Sequence, residues 1–401
     1  MTNIKDLLKY MYSLERFGIK PGLEVISKLL KALDNPHKNL KYIHIAGTNG
    51  KGSTAAMIES VIRKNGFSTG LYTSPHLVRF NERIKINNKD ITDEDIATLV
   101  EKIKKCSEEN NLQPTFFEFT TALAFLYFYE KKPDYIVLET GMGGRLDATN
   151  VVTPKISVIT NIAIDHVKHL GKTEKEIAVE KAGIIKKDIP LVTAEENEEV
   201  LNIFRNKCKE TNSKLYKIDD YEIIQSNKEH QVFKVRNKTY EIKLVGEHQI
   251  KNACLAIKAL ELLGIKSIDL KDAFWPGRIE IVRKNPLVII DSAHNTAGMK
   301  ALINFLGKNY GEFLVVFGMI DGDYKKDMIK EVSKVAKRFI LTQGKYRGEN
   351  PDNYSDIIKK DFEIIRDVKE AVKKAIKSKE DVLITGSIYM IGEAEELFLP
   401  N

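Results

Sequence analysis

Short apolar runs rich in β-branched residues recur along the chain and alternate with helical patterns. The first series reads KYIHIAG (41–47), STGLYTS (68–74), DYIVLETG (134–141), ISVITNIAI (156–164) and IPLVTA (189–194). Each run ends in small, polar or charged residues, as strands do when their carboxyl ends line a ligand crevice. Between them, TDEDIATLVEKIKKC (92–106) and TFFEFTTALAFLYFYEKK (115–132) read as helices. From 215 to 245 the pattern changes. LYKIDDYEIIQ and HQVFKVRNKTYEIKLV alternate apolar with polar residues around RNKT, which predicts antiparallel ribbons. A helix follows at about 248–263, and FWPGRIEIV (274–282) carries the Pro-Gly break of a hinge. Beyond it PLVIIDSAH, FLVVFGM, RFILTQG, FEIIRD and DVLITGS form a second strand series, again interleaved with helices. The pattern predicts two α/β domains, roughly 1–275 and 276–401, with no internal repeat.

Composition narrows the class. Of 401 residues, 43% are hydrophobic and 30% charged, as in a globular chain, and the length favours two domains over one core. The net charge of +7 is a small difference between 63 basic and 56 acidic residues. No basic block interleaved with aromatics points to nucleic acid, whereas a mild positive bias suits an anionic small molecule. The 3 cysteines, Cys106, Cys208 and Cys254, are far apart and form no C-x-x-C pair, which predicts a reducing compartment. The opening MTNIKDLLKYMYSLERFGIK has scattered charge and no signal-peptide core, and no run of about 18 apolar residues occurs. The expectation is a cytoplasmic protein, without nucleic-acid or membrane partners.

IHIAGTNGKGSTAAMI (43–58) reads as strand, glycine loop and helix. Gly47, Gly50 and Gly52 let backbone amides turn toward an anion, Lys51 adds a point charge, and the helix contributes its N-terminal amides. The stretch departs from G-x-x-x-x-G-K-[ST]: Ile45 takes the first glycine position and Gly52 precedes Ser53. Ser74, before a proline, is compatible with simple turn chemistry. Glu139 closes a buried apolar strand, where a carboxylate needs a partner, and Mg²⁺ beside a phosphate site would supply one. Asp165 and His166 close the next strand, and His169 reads as a solvated loop histidine.

EIAVEKAGIIKK (176–187) is an amphipathic helix pattern with Ile177, Ala178, Ile184 and Ile185 on one face and Lys181 among them. A snorkelling stem explains such a lysine, and so does a functional amine. Thr173 and Glu176 have the spacing of a capping box that would start the helix.

Eight stretches occur in order: HIAGTNGKGST, TSPHLVRFNERI, ETGMGGRLDATN, DHVKHLGKTEKEIAVEKAGI, GEHQIKNA, WPGR, DSAHN and ITGSIYMIGE. Together, from about 14 to 396, the chain resembles the dihydrofolate synthase/folylpolyglutamate synthase family of Mur-type ATP-dependent peptide ligases. The resemblance implies a P-loop-type Mur ligase central domain, with a mainly parallel sheet plus antiparallel ribbons, then a smaller Rossmann-like α/β domain. It implies that Asn49, Gly50, Lys51, Gly52 and Ser53 hold the ATP phosphates, and that Asn252, Arg278, Asp291 and His294 bind ATP. Ser74, Glu139 and His166 match magnesium ligands, with two ions expected, and Leu146, Asp147 and Ala148 match a pterin-contacting segment. Lys181 matches a lysine carried as a CO₂-derived carbamate, N6-carboxylysine. Ser292 stands where glycine is expected, and TQGKYRGENP (342–351) lacks the expected Pro-Arg-Ala, so that loop is assigned no site residue.

The implied reaction joins L-glutamate to a folate or dihydropteroate, through an acyl phosphate made from ATP, in a monomer. Lys51, Lys181, His166 and Arg278 are the expected catalytic residues. A Mur ligase acting on a UDP-linked substrate is one rival, although only about 40 residues precede the first loop strand, few for a UDP-binding domain. A non-catalytic nucleotide-gated regulator is the other. Nothing in the sequence chooses between folate-only and bifunctional activity.

Overall fold

A computed structural model of the chain describes residues 4–18, 22–218, 220–322 and 324–399. The opening segment read above for a leader therefore falls partly outside the described residues, as does Asp219 of the first expected ribbon. The contacts group into two units: Met1–His76, Phe80–Tyr221 and Lys251–Ala273 form one, and Leu77–Arg79, Glu222–Ile250 and Phe274–Asn401 the other.

The first unit is built on eight strands: β1 (Tyr42–Ala46), β2 (Thr69–Tyr72), β3 (Ile84–Ile86), β4 (Lys89–Asp90), β5 (Tyr135–Glu139), β6 (Ile156–Ile159), β7 (Leu191–Thr193) and β8 (Leu215–Lys217). Their order is β4-β3-β2-β5-β1-β6-β7-β8. All pairings are parallel except the β2–β3–β4 hairpins at one edge. Every residue of β1 is buried, which is why its sequence is a continuous apolar run rather than an alternation. Register places Ile45 beside Glu139 and Ala46 beside Ile159, so the loop after β1 emerges between the ends of β5 and β6. The helix Lys51–Lys64 is buried from Gly52 to Ile62. Against the sheet, Phe119, Phe125 and Phe128 of the helix Phe116–Lys131 are fully buried and anchor the largest core. Each such ring contributes roughly 2–3 kcal/mol by leaving water.

Three local differences from the sequence reading have physical causes. Residues 215–217 join the parallel sheet beside β7 rather than an antiparallel ribbon. The run 156–164 is a strand only to Ile159, because Thr160 and Asn161 turn their side chains onto the loop backbone at Asn49. The Lys181 helix spans Glu174–Ala182, starting in the Thr173–Glu176 capping box and stopping before Ile184 and Ile185. Gly183 follows it, and a Cβ there would run into the Arg145 backbone. Ile184 and Ile185 are nevertheless buried.

The second unit contains an antiparallel sheet of β9 (Glu222–Ser226), β10 (Gln231–Val235) and β11 (Lys238–Ile242), in the order β11-β10-β9. Its larger sheet uses β12 (Glu280–Lys284), β13 (Leu287–Asp291), β14 (Phe313–Phe317), β15 (Ala336–Leu341), β16 (Phe362–Ile364) and β17 (Val382–Thr385). The order is β12-β13-β17-β14-β15-β16, with only β12 antiparallel. The last strand thus inserts between the first two parallel ones, and the ends of β13 and β17 meet at Asp291 and Thr385. Among the described residues, no helix is long and apolar enough to cross a membrane.

Candidate active site

The loop after β1 is held open by its neighbours. Thr48 N–H donates to the Asn161 carbonyl at 2.9 Å, and Asn49 N–H donates to Asn161 Oδ1 at 3.1 Å. The Asn49 carbonyl accepts from Thr160 Oγ1 at 2.6 Å and Asn161 Nδ2 at 3.1 Å. Gly47 and Gly50 both have positive φ, at 145° and 83°. A Cβ on Gly47 would meet Thr160 Oγ1, and one on Gly50 would meet Asn252 Oδ1. Glycine is therefore required at both positions by space as well as by backbone angle. Gly50 caps the buried helix that follows, leaving that helix's first amides for an anion. The hydroxyls of Ser53 and Thr54, in its first turn, are buried without a partner.

Two lysines converge on one carbonyl. Lys51 Nζ donates to the Gly47 carbonyl at 3.1 Å and the Thr48 carbonyl at 3.2 Å, and lies 3.9 Å from Glu139 Oε1. Lys181 Nζ donates to the same Gly47 carbonyl at 2.8 Å. Its residue is 4% exposed, so the amine does not snorkel to water. Burial, reinforced by the Lys51 charge, lowers the Lys181 pKa to about 7, against the opposing pull of Asp165 and Asp147. Glu139 is buried and accepts from the Ser74 N–H at 3.2 Å. His166 sits in the left-handed region (φ 49°); its N–H donates to Asp165 Oδ1 at 2.8 Å, and its ring Nε2 lies 4.0 Å from the same oxygen.

Glycines again set the spacing between the lysine helix and the loop after β5. A Cβ on Gly144 would press on the Glu180 and Lys181 carbonyls, while Arg145 N–H donates to the Glu180 carbonyl at 2.7 Å. Asp147 faces inward and caps the short helical turn Ala148–Val151. Leu146 is half-buried, and Ala148 is buried.

In the second unit Asp291 closes β13 and is buried. It accepts from Ile279 N–H at 2.9 Å and Ala293 N–H at 2.8 Å. Burial raises its pKa, and the Arg278 guanidinium and those amides pull it back down. Arg278 Nη1 donates to the Gly277 carbonyl at 3.0 Å, and His294 Nδ1 lies 2.9 Å from the Ser292 carbonyl. Between them Ile279 adopts φ 47°, strained for a β-branched residue and held by the Asp291 bond.

Residues 45–260 match the Mur ligase middle domain, and residues 277–388 match the Mur ligase glutamate ligase domain. The dihydrofolate synthase/folylpolyglutamate synthase of Bacillus subtilis (strain 168) is 37% identical, over 98% of this chain and 98% of that protein. The chain belongs to the dihydrofolate synthase/folylpolyglutamate synthase family. Members of this family are ATP-dependent ligases of the Mur type. The folylpolyglutamate synthase of Lacticaseibacillus casei is 32% identical, with 99% of both chains covered. The Mycobacterium tuberculosis folylpolyglutamate synthase complexed with ADP and AMPPCP superposes with TM-score 0.90 at 29% identity, covering 99% of each chain. A folylpolyglutamate synthase–AMPPCP–folate complex gives TM-score 0.86 at 30% identity, with 100% of both chains covered.

Within the first unit, direct contacts bring together the loop residues, Asn252 at Gly50, Lys51, Lys181, Glu139 and Ser74. Asp165 accepts from the His166 N–H, and its charge pulls the Lys181 pKa upward. Arg278, Asp291 and His294 form their own group at the end of β13. Sequence reasoning missed Thr160 and Asn161, which shape the phosphate loop, and read Asp165 only as part of a strand end, without its bond to the His166 N–H. The signal for the first two was a polar pair breaking the apolar run ISVITNIAI.

Proposed function

We propose that the chain attaches L-glutamate to a folate, and also to dihydropteroate, through an acyl phosphate made with ATP, releasing ADP and phosphate. The observation that carries this is the meeting of Lys51 and Lys181 on one carbonyl beside Glu139. A nucleotide sensor needs the first lysine and has no use for a second, buried amine with a lowered pKa. In this reading Asn49, Gly50, Lys51, Gly52 and Ser53 cradle the triphosphate, Asn252 lines the nucleotide, and Arg278, Asp291 and His294 are the ATP-binding residues of the second unit. Most of the catalysis is positioning and charge stabilisation of three converging anions.

The donor set fits magnesium. Glu139 and Ser74 offer hard oxygens, His166 offers a ring nitrogen, and the orphaned Ser53 and Thr54 hydroxyls point to a polar occupant. Among the described residues no cluster of three or more His, Cys, Asp or Glu side chains forms a metal cage. Magnesium needs none, because it keeps water and phosphate oxygens in its shell. Ser74, Glu139 and His166 would hold one of two ions, which supply countercharge to the phosphates.

Lys181 also fits a carbamate. With its pKa at about 7, a large neutral fraction is present at neutral pH. The nitrogen lone pair forms an N–C bond to CO₂, one C=O electron pair moves to oxygen, and nitrogen releases a proton to solvent. The nitrogen keeps one N–H for the Gly47 carbonyl. The new anion would orient the metal shell that Lys51 alone cannot.

Leu146, Asp147 and Ala148 belong to the segment that meets the pterin, Leu146 with its partly exposed side chain. The same proposal covers a monomeric, cytoplasmic enzyme with domains 1–275 and 276–401; the two family matches support that boundary, although contacts group Glu222–Ile250 with the second unit, and the free Cys106, Cys208 and Cys254 support the reducing compartment. ADP release that requires both glutamate and a folate tests it, with dihydropteroate and tetrahydrofolate compared as acceptors. ADP release driven only by a UDP-linked acceptor, or nucleotide binding without turnover, would overturn it.

A further inference from the structure

The Asp147 carboxylate is fully engaged inside its own loop. Its Oδ1 accepts from Thr149 N–H at 3.0 Å and Thr149 Oγ1 at 2.5 Å, and its Oδ2 accepts from Met142 N–H at 2.8 Å. The residue is 6% exposed. Thr149 is fully buried and its hydroxyl lies 2.8 Å from Nε2 of His44, itself fully buried in the middle of β1. His44 Nδ1 has no partner.

Donor bookkeeping sets the direction of this chain. Burial raises the Asp147 pKa, while the Thr149 hydroxyl and the backbone amides around the carboxylate pull it back down; as a carboxylate it accepts the single Thr149 hydroxyl proton. His44 must then donate from Nε2, which leaves Nδ1 as the unprotonated nitrogen. Burial pushes the His44 pKa down to about 3, in keeping with a neutral ring. The chain spans 105 residues and ties the central strand to the loop that begins after Glu139. That loop also carries Gly144 and Arg145, whose backbone packs on Glu180 and Lys181.

We infer that His44 and Thr149 are positioning residues that act through Asp147, holding the loop between Glu139 and Lys181 in its working shape. The inference rests on the ligase reading above for its kinetic consequence, and on the hydrogen-bond geometry alone for its structural one. On this view the Asp147 carboxylate shapes the loop, and the pterin meets the segment through Leu146 and the loop backbone.

Thr149→Val removes the hydroxyl at nearly constant volume, Thr149→Ser keeps it, and Asp147→Asn replaces an acceptor oxygen with a donor. The expected result is a fall in kcat of about tenfold for Thr149→Val and Asp147→Asn, with the KM for folate and dihydropteroate within about twofold of wild type. Thr149→Ser should restore kcat, and the double variant should be no worse than the poorer single one. An Asp147→Asn enzyme with a tenfold higher KM for the pterin substrate, beside an unaffected Thr149→Val, would overturn the inference and make Asp147 a substrate ligand. Nitrogen-15 NMR of histidine-labelled wild-type protein supplies a readout independent of activity. His44 should stay in the neutral Nε2–H form at pH 6, and a charged ring or an Nδ1–H form there would sink the proposed direction. Inactive wild-type protein would count against the ligase reading while this signature still decided the hydrogen-bond chain.

Discussion

The ends of β1 and β13 each bring a cationic side chain beside a carboxylate that accepts from backbone N–H, but the cations differ in kind and in burial. At the end of β1 the group is an amine: Lys181 has a carbonyl for a partner and shares it with Lys51. At the end of β13 it is a guanidinium: Arg278 sits on the Gly277 carbonyl, and its charge partly offsets the rise that burial imposes on the Asp291 pKa. Burial acts on Lys181, which can respond by losing its proton, whereas the guanidinium of the partly exposed Arg278 cannot. The first site therefore holds a titratable nitrogen that is available for chemistry, and the second holds a charge that persists at every physiological pH. A ligase that must build a reactive anion at one place and neutralise phosphate at another has use for both.

The sharpest way to break this contrast is Lys181→Arg. It keeps a cation of similar reach but cannot supply a neutral nitrogen, so turnover should fall about a hundredfold, as when one preorganised catalytic group is lost. Lys181→Ala should fall as far and recover in part with short-chain carboxylates, whereas the arginine variant should not recover. ADP release with and without added acetate checks both, and full activity in either variant would remove the carbamate from the mechanism.

Stability provides a second test. The folded-state pKa of Lys181 lies near 7 and the unfolded value near 10.5. Between these the unfolded chain binds more protons, so wild-type stability rises as pH climbs from about 7 toward 10.5. Lys181→Met removes that dependence. Its advantage over wild type should be greatest at pH 7 and below, of order 2 kcal/mol once relaxation around a buried charge is allowed for, and should vanish near pH 10. Urea unfolding in bicarbonate-free buffer at pH 6 and pH 10 measures it; an equal gap at both would refute the depressed pKa.

Arg278→Lys probes the other end. Lysine is charged at neutral pH but lacks the planar fork, so the expected loss is about tenfold in kcat/KM for ATP, with folate KM unchanged. A loss as large as that of Lys181→Arg would erase the distinction. Gly50→Ala should lose more than about 1 kcal/mol of stability to the strained left-handed angle and the contact with Asn252. Thermal unfolding of the variant reports it.

Much of this was legible in the sequence because the signals are local. KYIHIAGTNGKGST announces strand, loop and helix within fourteen residues, and Thr173 with Glu176 announces the lysine helix through a cap three residues wide. Lys181 stood out because it interrupts an apolar face. The helix was read too long: it ends at Gly183, where a Cβ would meet Arg145, which is distant in sequence. Residues 215–217 were read as ribbon because a three-residue strand carries no mark of which sheet will accept it.

By itself the sequence determined the order of strands and helices, the glycine loop, the caps and the motifs that identify the family. Those depend on backbone preference and side-chain periodicity over a few neighbouring residues. Only the tertiary structure decided that Lys51 and Lys181 share the Gly47 carbonyl, that the Asp165 charge acts on Lys181, and that His44 bonds Thr149 across 105 residues. The physical reason is that pKa and hydrogen-bond direction depend on desolvation and on which atoms lie within a few ångströms. Sheet order sets those neighbours, and sheet order brings together segments that the sequence keeps apart.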